Sequence, residues 1–130
     1  MANLKGVHHI SLHPNAEIYD KTVAFYTDVI GCTPVMAWGE GNRRCCFLSC
    51  GDNTVMEIGV GEDDGTRHDG KIAHIAFHVE DVDTLAEAIK AAGYEITMGP
   101  KDVTLTETYK ARIAFYVGPV GEYVELFKVY

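Results

Sequence analysis

The strongest constraint on this chain is an internal repeat in which histidine, phenylalanine and glutamate recur at matching places in its two halves. His9-Ile-Ser-Leu-His13 lies over His74-Ile-Ala-Phe-His78, and Arg44-Cys-Cys-Phe47 lies over Arg112-Ile-Ala-Phe115. Ten residues beyond each phenylalanine stands a glutamate, Glu57 in VMEIG and Glu125 in YVELF. The separation from His9 to Glu57 is 48 residues and that from His74 to Glu125 is 51, a difference that loops absorb. Self-similarity of this kind makes each half one supersecondary unit that has to bury its apolar face in the same way.

Periodicity within each copy names the elements. Residues 6–14 alternate, with Ile10 and Leu12 on one side and His9, Ser11 and His13 on the other, which predicts a strand. Asn15 caps a helix that runs to Ile30 on a stripe of Tyr19, Val23, Tyr26 and Ile30, and Gly31 stops it. Extended segments follow at 34–38, 44–49 and 54–60, separated by turn signals. The second copy opens with an alternating strand over 72–79. A helix follows, capped by Asp81 or Asp83, with Val82, Leu85, Ile89 and Ala92 on its stripe and Gly93 at its end. Segments at 94–98, 112–117 and 122–129 complete it, and 102–110 reads as a loop. The predicted fold is α+β, two tandem βαβββ modules forming a curved mixed sheet cup within one domain spanning 1–130. Module one covers about 6–61, an acidic, glycine-rich and solvated linker about 61–70, and module two about 71–130.

Composition excludes several functions. A chain of 130 residues buries roughly two-thirds of its unfolded surface without staples. A formal charge of −8 repels polyanions, so nucleic acid is not an expected partner. No run approaches the ~18 apolar residues of a membrane span. The start, MANLKG, lacks the apolar core of a signal peptide, which points to the cytoplasm. Cys32, Cys45, Cys46 and Cys50 contain no CxxC and read as buried thiols of a reducing compartment.

His9, Glu57, His74 and Glu125 are each flanked by apolar residues of opposite strand parity, so all four are expected on the face turned away from the helices. A carboxylate inside such a strand is costly unless paired or metal-bound. Two imidazoles and two carboxylates form a charge-neutral set around a 2+ ion, and their mixed nitrogen and oxygen donors suit Zn, Ni, Co, Mn or Fe. His13 and His78 stand four residues further along the same face, roughly 13 Å away at strand rise, as candidates to line a substrate cavity. Arg44 and Arg112 are read as facing the cup, where they would receive an anionic substrate. His8 and His68 are read as bystanders.

The order of elements, the paired modules, and the stretches HHISLHP, FYTDVIG, VMEIG, AHIAFHVEDVD and GEYVELF resemble the vicinal oxygen chelate superfamily (glyoxalase, bleomycin resistance protein and dioxygenase), and within it the glyoxalase I branch. That resemblance implies one divalent ion held by His9, Glu57, His74 and Glu125, a small-molecule substrate and a homodimer. It also implies a lyase or isomerase acting through an enediolate, with Glu125 as the base and Glu57 as its pseudo-symmetric counterpart. In glutathione-using members an arginine follows the first metal histidine by four residues and an asparagine follows the first metal glutamate by four. Those places hold His13 and Gly61, so the thiol partner is expected not to be standard glutathione. The alternatives are an epimerase of an acyl-CoA type substrate, a ring-cleaving dioxygenase, and a non-enzymatic antibiotic-binding resistance protein.

Overall fold

The computed structural model describes Asn3, residues 5–66, Gly70 and residues 72–130, so His68, within the connection expected over 61–70, lies outside the described residues. The chain divides into two compact units, residues 1–64 and 65–130. Each is a βαβββ module.

In the first, β1 (His9–Pro14) leads into α1 (Ala16–Ala24), followed by β2 (Thr33–Trp38), β3 (Cys45–Ser49) and β4 (Val55–Asp63). Asn15 is the expected cap, its side-chain oxygen accepting from the Ile18 amide at 3.2 Å. The helix was expected to run unbroken to Ile30. Instead Phe25–Ile30 is wound as a wider π-helix, and both the Gly31 and Cys32 amides reach back to the Tyr26 carbonyl, at 3.1 and 2.8 Å. Gly31 then takes φ +96°, a left-handed conformation that ends the helix without a Cβ penalty.

The second module repeats the plan as β5 (Ile75–His78), α2 (Val82–Ala91), β6 (Glu95–Thr106), β7 (Tyr109–Val117) and β8 (Tyr123–Val129). Asp81 is the cap, accepting from the Thr84 amide at 3.0 Å. The loop expected over 102–110 is corrected: β6 and β7 pair from Glu95 opposite Val117 out to Thr106 opposite Tyr109, leaving only Glu107 and Thr108 as the turn. Threonines at 104 and 106 suit an extended ribbon exposed on both sides, where no apolar alternation is required.

The two sheets have the same order, β1-β4-β3-β2 and β5-β8-β7-β6. In each, the first strand runs parallel to the last and the other neighbours are antiparallel. The helix crosses one face of its own sheet, and the apolar set predicted for that face is buried there. Met56, Ile58 and Leu48 lie under α1, and Val124, Leu126 and Ala114 under α2, all at most 1% exposed. A residue such as Leu48, fully removed from water, contributes about 1.5–3 kcal/mol. Successive strand residues point to opposite faces, as the alternating burial of β3 shows, and that parity sends the polar members of the repeat to the face opposite the helix. Among the described residues no helix is long and apolar enough to cross a membrane.

Candidate functional site

Strand register builds two matching half-sites. In module one Glu57 on β4 lies between Ser11 on β1 and Phe47 on β3. In module two Glu125 on β8 lies between Ala76 on β5 and Phe115 on β7. Directly paired residues share a face, and His9 and His74, two residues before Ser11 and Ala76, share it too. Each half-site therefore holds one imidazole, one carboxylate and one phenyl ring. The His9 and Phe47 ring centres are 6.0 Å apart, and those of His74 and Phe115 are 5.2 Å apart.

The two carboxylates differ in their surroundings. Glu57 is half-buried and accepts a hydrogen bond from Ser11 Oγ at 2.6 Å. Glu125 is 9% exposed, meets His74 Nε2 at 3.2 Å, and has alanine where Glu57 has serine. Burial raises the pKa of Glu125, and the neighbouring His74 offsets part of that rise. A buried carboxylate facing an imidazole Nε2 suits a site that expects a cation. The His8 and His9 Nδ1 atoms are 2.9 Å apart, one ring donating to the other. That bond occupies His9 Nδ1 and leaves Nε2 as the nitrogen available to a ligand.

The structure adds residues that sequence reasoning did not assign to the site. His8, read as a bystander, touches both His9 and Phe47, the latter at 6.1 Å between ring centres. Phe47 and Phe115 wall the half-sites, backed by Trp38 at 5.0 Å and by Tyr123, stacked at 4.9 Å. The signal for the phenylalanines was present, since each precedes its glutamate by ten residues in both copies. His13 and His78 are exposed on the same strands.

The placement of Arg44 and Arg112 is corrected. Both turn to the helix side. Arg44 lies over the Tyr19 ring at 4.6 Å and bonds Asp20 of α1 at 3.1 Å. Arg112 bonds Asp83 of α2 at 2.7 Å and Asp102 of β6 at 3.0 Å, and Asp102 also accepts from the Tyr130 hydroxyl. Hydrogen bonds from Arg112 lower the pKa of Asp83, and those from Tyr130 and then Arg112 lower that of Asp102. A cleft of about 330 Å³ lies beside Arg44, lined by Tyr19, Asp20, Ala37, Trp38 and Cys45 among others, and the guanidinium at its wall is already paired.

A model of the Glyoxalase/Bleomycin resistance protein/Dioxygenase superfamily matches residues 6–126. The chain belongs to this superfamily. Solved members share the fold at low identity. TnmS3, an antibiotic binding protein from Streptomyces sp. CB03234, is 18% identical with TM-score 0.73, each chain being covered over 100%. A superfamily member from Sphaerobacter thermophilus DSM 20745 is 20% identical with TM-score 0.67, each chain covered over 97%. A mutant of FosX, the genomically encoded fosfomycin resistance protein of Listeria monocytogenes, was solved with Mn(II) and a dihydroxypropylphosphonic acid. It is 22% identical with TM-score 0.70 over 95% of this chain and 89% of its own. No protein with a curated description matches the sequence.

Each module presents one imidazole and one carboxylate, nitrogen and oxygen donors of the kind a divalent ion takes. Among the described residues no three His, Cys, Asp or Glu side chains group as metal ligands. Gly61 departs from the glutathione-using pattern for a local steric reason. A Cβ there would stand 2.6 Å from His13 Cβ and 2.9 Å from the His13 carbonyl. Gly61→Asn is expected to destabilise the protein by about 1–3 kcal/mol through overpacking against β1, measured as a lower urea midpoint at unchanged slope. An unchanged midpoint would show that β1 yields at this point.

Proposed function

We propose that this chain is a metal-dependent enzyme of the glyoxalase I kind, a cytoplasmic lyase or isomerase that moves a proton on the carbon beside a carbonyl of a small chelated substrate. The observation that carries this reading is the repeated imidazole and carboxylate on matching rungs, above all the buried Glu125 against His74 at 3.2 Å. His9, Glu57, His74 and Glu125 are the residues that would hold the ion, and it would supply Lewis-acid polarisation of the carbonyl. Two donors come from each module, so the full set requires both, from one chain or from a chain and its partner.

Glu125 is the base. Its burial makes proton acceptance easier than for a solvated carboxylate, which moves it toward the range a general base needs. Glu57 is restrained by the Ser11 hydroxyl, whereas Ala76 offers Glu125 no such bond. His13 and His78 line the outer part of the substrate space. The thiol partner is not standard glutathione, because Gly61 and His13 replace its gripping residues.

The active form is a homodimer. Strand β2 is an edge exposed along all six residues, including Val35, Met36 and Trp38, and such an edge invites a covering partner. The mass in solution at micromolar concentration is expected to be that of two chains, and a monomeric mass would remove this element.

A second reading, sequestration of a small apolar antibiotic without chemistry, is favoured by the Trp38–Phe47 and Phe115–Tyr123 pairs. One screen separates the readings. Hemithioacetals of several thiols, acyl-CoA epimers and catechols are offered to metal-loaded protein in deuterated water. Deuterium at the carbon beside a carbonyl is the expected result. Catechol cleavage without exchange would replace the reading with a dioxygenase, and tight metal-independent antibiotic binding without turnover would replace it with a binding protein.

A further inference from the structure

Cys32 and Cys50 face each other at the open end of the β2–β3 ladder. Thr33 pairs with Ser49 as the terminal rung, so the two cysteines stand one step beyond it. Neither contributes its amide to that ladder. The Cys32 amide donates to the Tyr26 carbonyl at 2.8 Å and the Cys50 amide to the Thr54 carbonyl at 3.0 Å. A facing pair that exchanges no backbone hydrogen bonds is the closer of the two antiparallel kinds, with Cα atoms about 4.5 Å apart. Disulfides span Cα separations of roughly 4.4–6.8 Å. The two thiols are near enough for each to shift the other's ionisation.

We infer that Cys32 and Cys50 form a redox modification site, closed into an intramolecular disulfide by exchange with a low-molecular-weight disulfide, which staples edge strand β2 to β3. The roles divide by exposure. Cys50 is half-buried and Cys32 buried. The neighbouring Cys32 thiol lowers the pKa of Cys50, while the neighbouring Cys50 thiol and then burial raise that of Cys32. Cys50 thiolate attacks one sulfur of the small disulfide, whose S–S bond breaks and releases one small thiolate. Cys32 then gives its proton to solvent and attacks the Cys50 sulfur of the mixed disulfide, expelling the second small thiol. Two protein thiols are oxidised and one small disulfide is reduced to two thiols.

The other two cysteines are placed differently. Cys45 and Cys46 are neighbours on β3, so their side chains point to opposite faces. Burial and then the nearby Glu57 charge raise the pKa of Cys45, and burial raises that of Cys46.

The test incubates the folded chain with oxidised glutathione, alkylates the remaining thiols and maps the peptides by mass. The expected product carries one disulfide joining Cys32 to Cys50, with Cys45 and Cys46 alkylated, and its melting temperature rises until dithiothreitol reverses it. Cys32→Ser should retain one glutathione on Cys50, whereas Cys50→Ser should take none on Cys32. A bridge involving Cys45 or Cys46 would overturn the assignment. So would a folded wild-type chain that stays fully reduced where the urea-unfolded chain is oxidised, a comparison that requires no variant to fold.

Discussion

Glu125→Gln is expected to lower solvent deuterium exchange at the substrate carbon by about 10²–10⁴-fold, the usual contribution of a positioned general base. The fold should survive the change. Glutamine has the shape of glutamate and no charge, so the desolvation that raises the Glu125 pKa is relieved. Glu57→Gln should cost less in exchange, because Glu57 is tied to the Ser11 hydroxyl at 2.6 Å. Exchange rates at matched metal occupancy separate base from ligand. If Glu125→Gln keeps full occupancy and wild-type exchange, the base lies elsewhere and Glu57 becomes the next candidate.

Removal of the proposed divalent ion is expected to have the second large effect. A ligand that binds only the folded state at about a thousand times its Kd adds roughly 4 kcal/mol. For a domain of this size that corresponds to a fall in melting temperature on the order of 10 °C when a chelator removes it. The metal-free protein should also show a pH dependence of defined sign. Burial raises the folded-state pKa of Glu125 above its unfolded value. The stability it contributes is therefore present below the ordinary carboxylate range and lost as pH rises through the raised value. Calorimetry with and without EDTA between acid and neutral pH checks both, and identical melting curves throughout would contradict the bound ion.

Much of this was legible in the sequence because a strand has a period of two and the repeat supplied each pattern twice. Glu57 opposite Phe47 and Glu125 opposite Phe115 is the register implied by the ten-residue spacing. The arginines were misplaced although the same parity was available. Arg44 and Arg112 stand three residues before those phenylalanines, an odd number, which turns them to the opposite face. Their acceptors, Asp20 and Asp83, lie on helices whose approach no strand pattern reveals. The β6–β7 ribbon was hidden because Glu107-Thr108 lacks the Asn-Gly or Asp-Gly signal of a two-residue turn. The π-helical winding after Ala24 had no sequence signal, since FYTDVIG satisfies an ordinary helical stripe as well. The contact of His8 with His9 depends on side-chain torsions rather than on strand parity.

We propose that His9, Glu57, His74 and Glu125 hold one divalent ion, two donors from each module. Elemental analysis of purified protein, dialysed after incubation with Zn, Ni, Co, Mn or Fe, tests it directly. The account predicts close to one equivalent of a single divalent metal per chain, lost in a His74→Ala and Glu125→Ala double variant that still folds. Less than about a tenth of an equivalent of every metal in the wild-type protein would contradict it, because a buried carboxylate that binds no ion has a structural role instead.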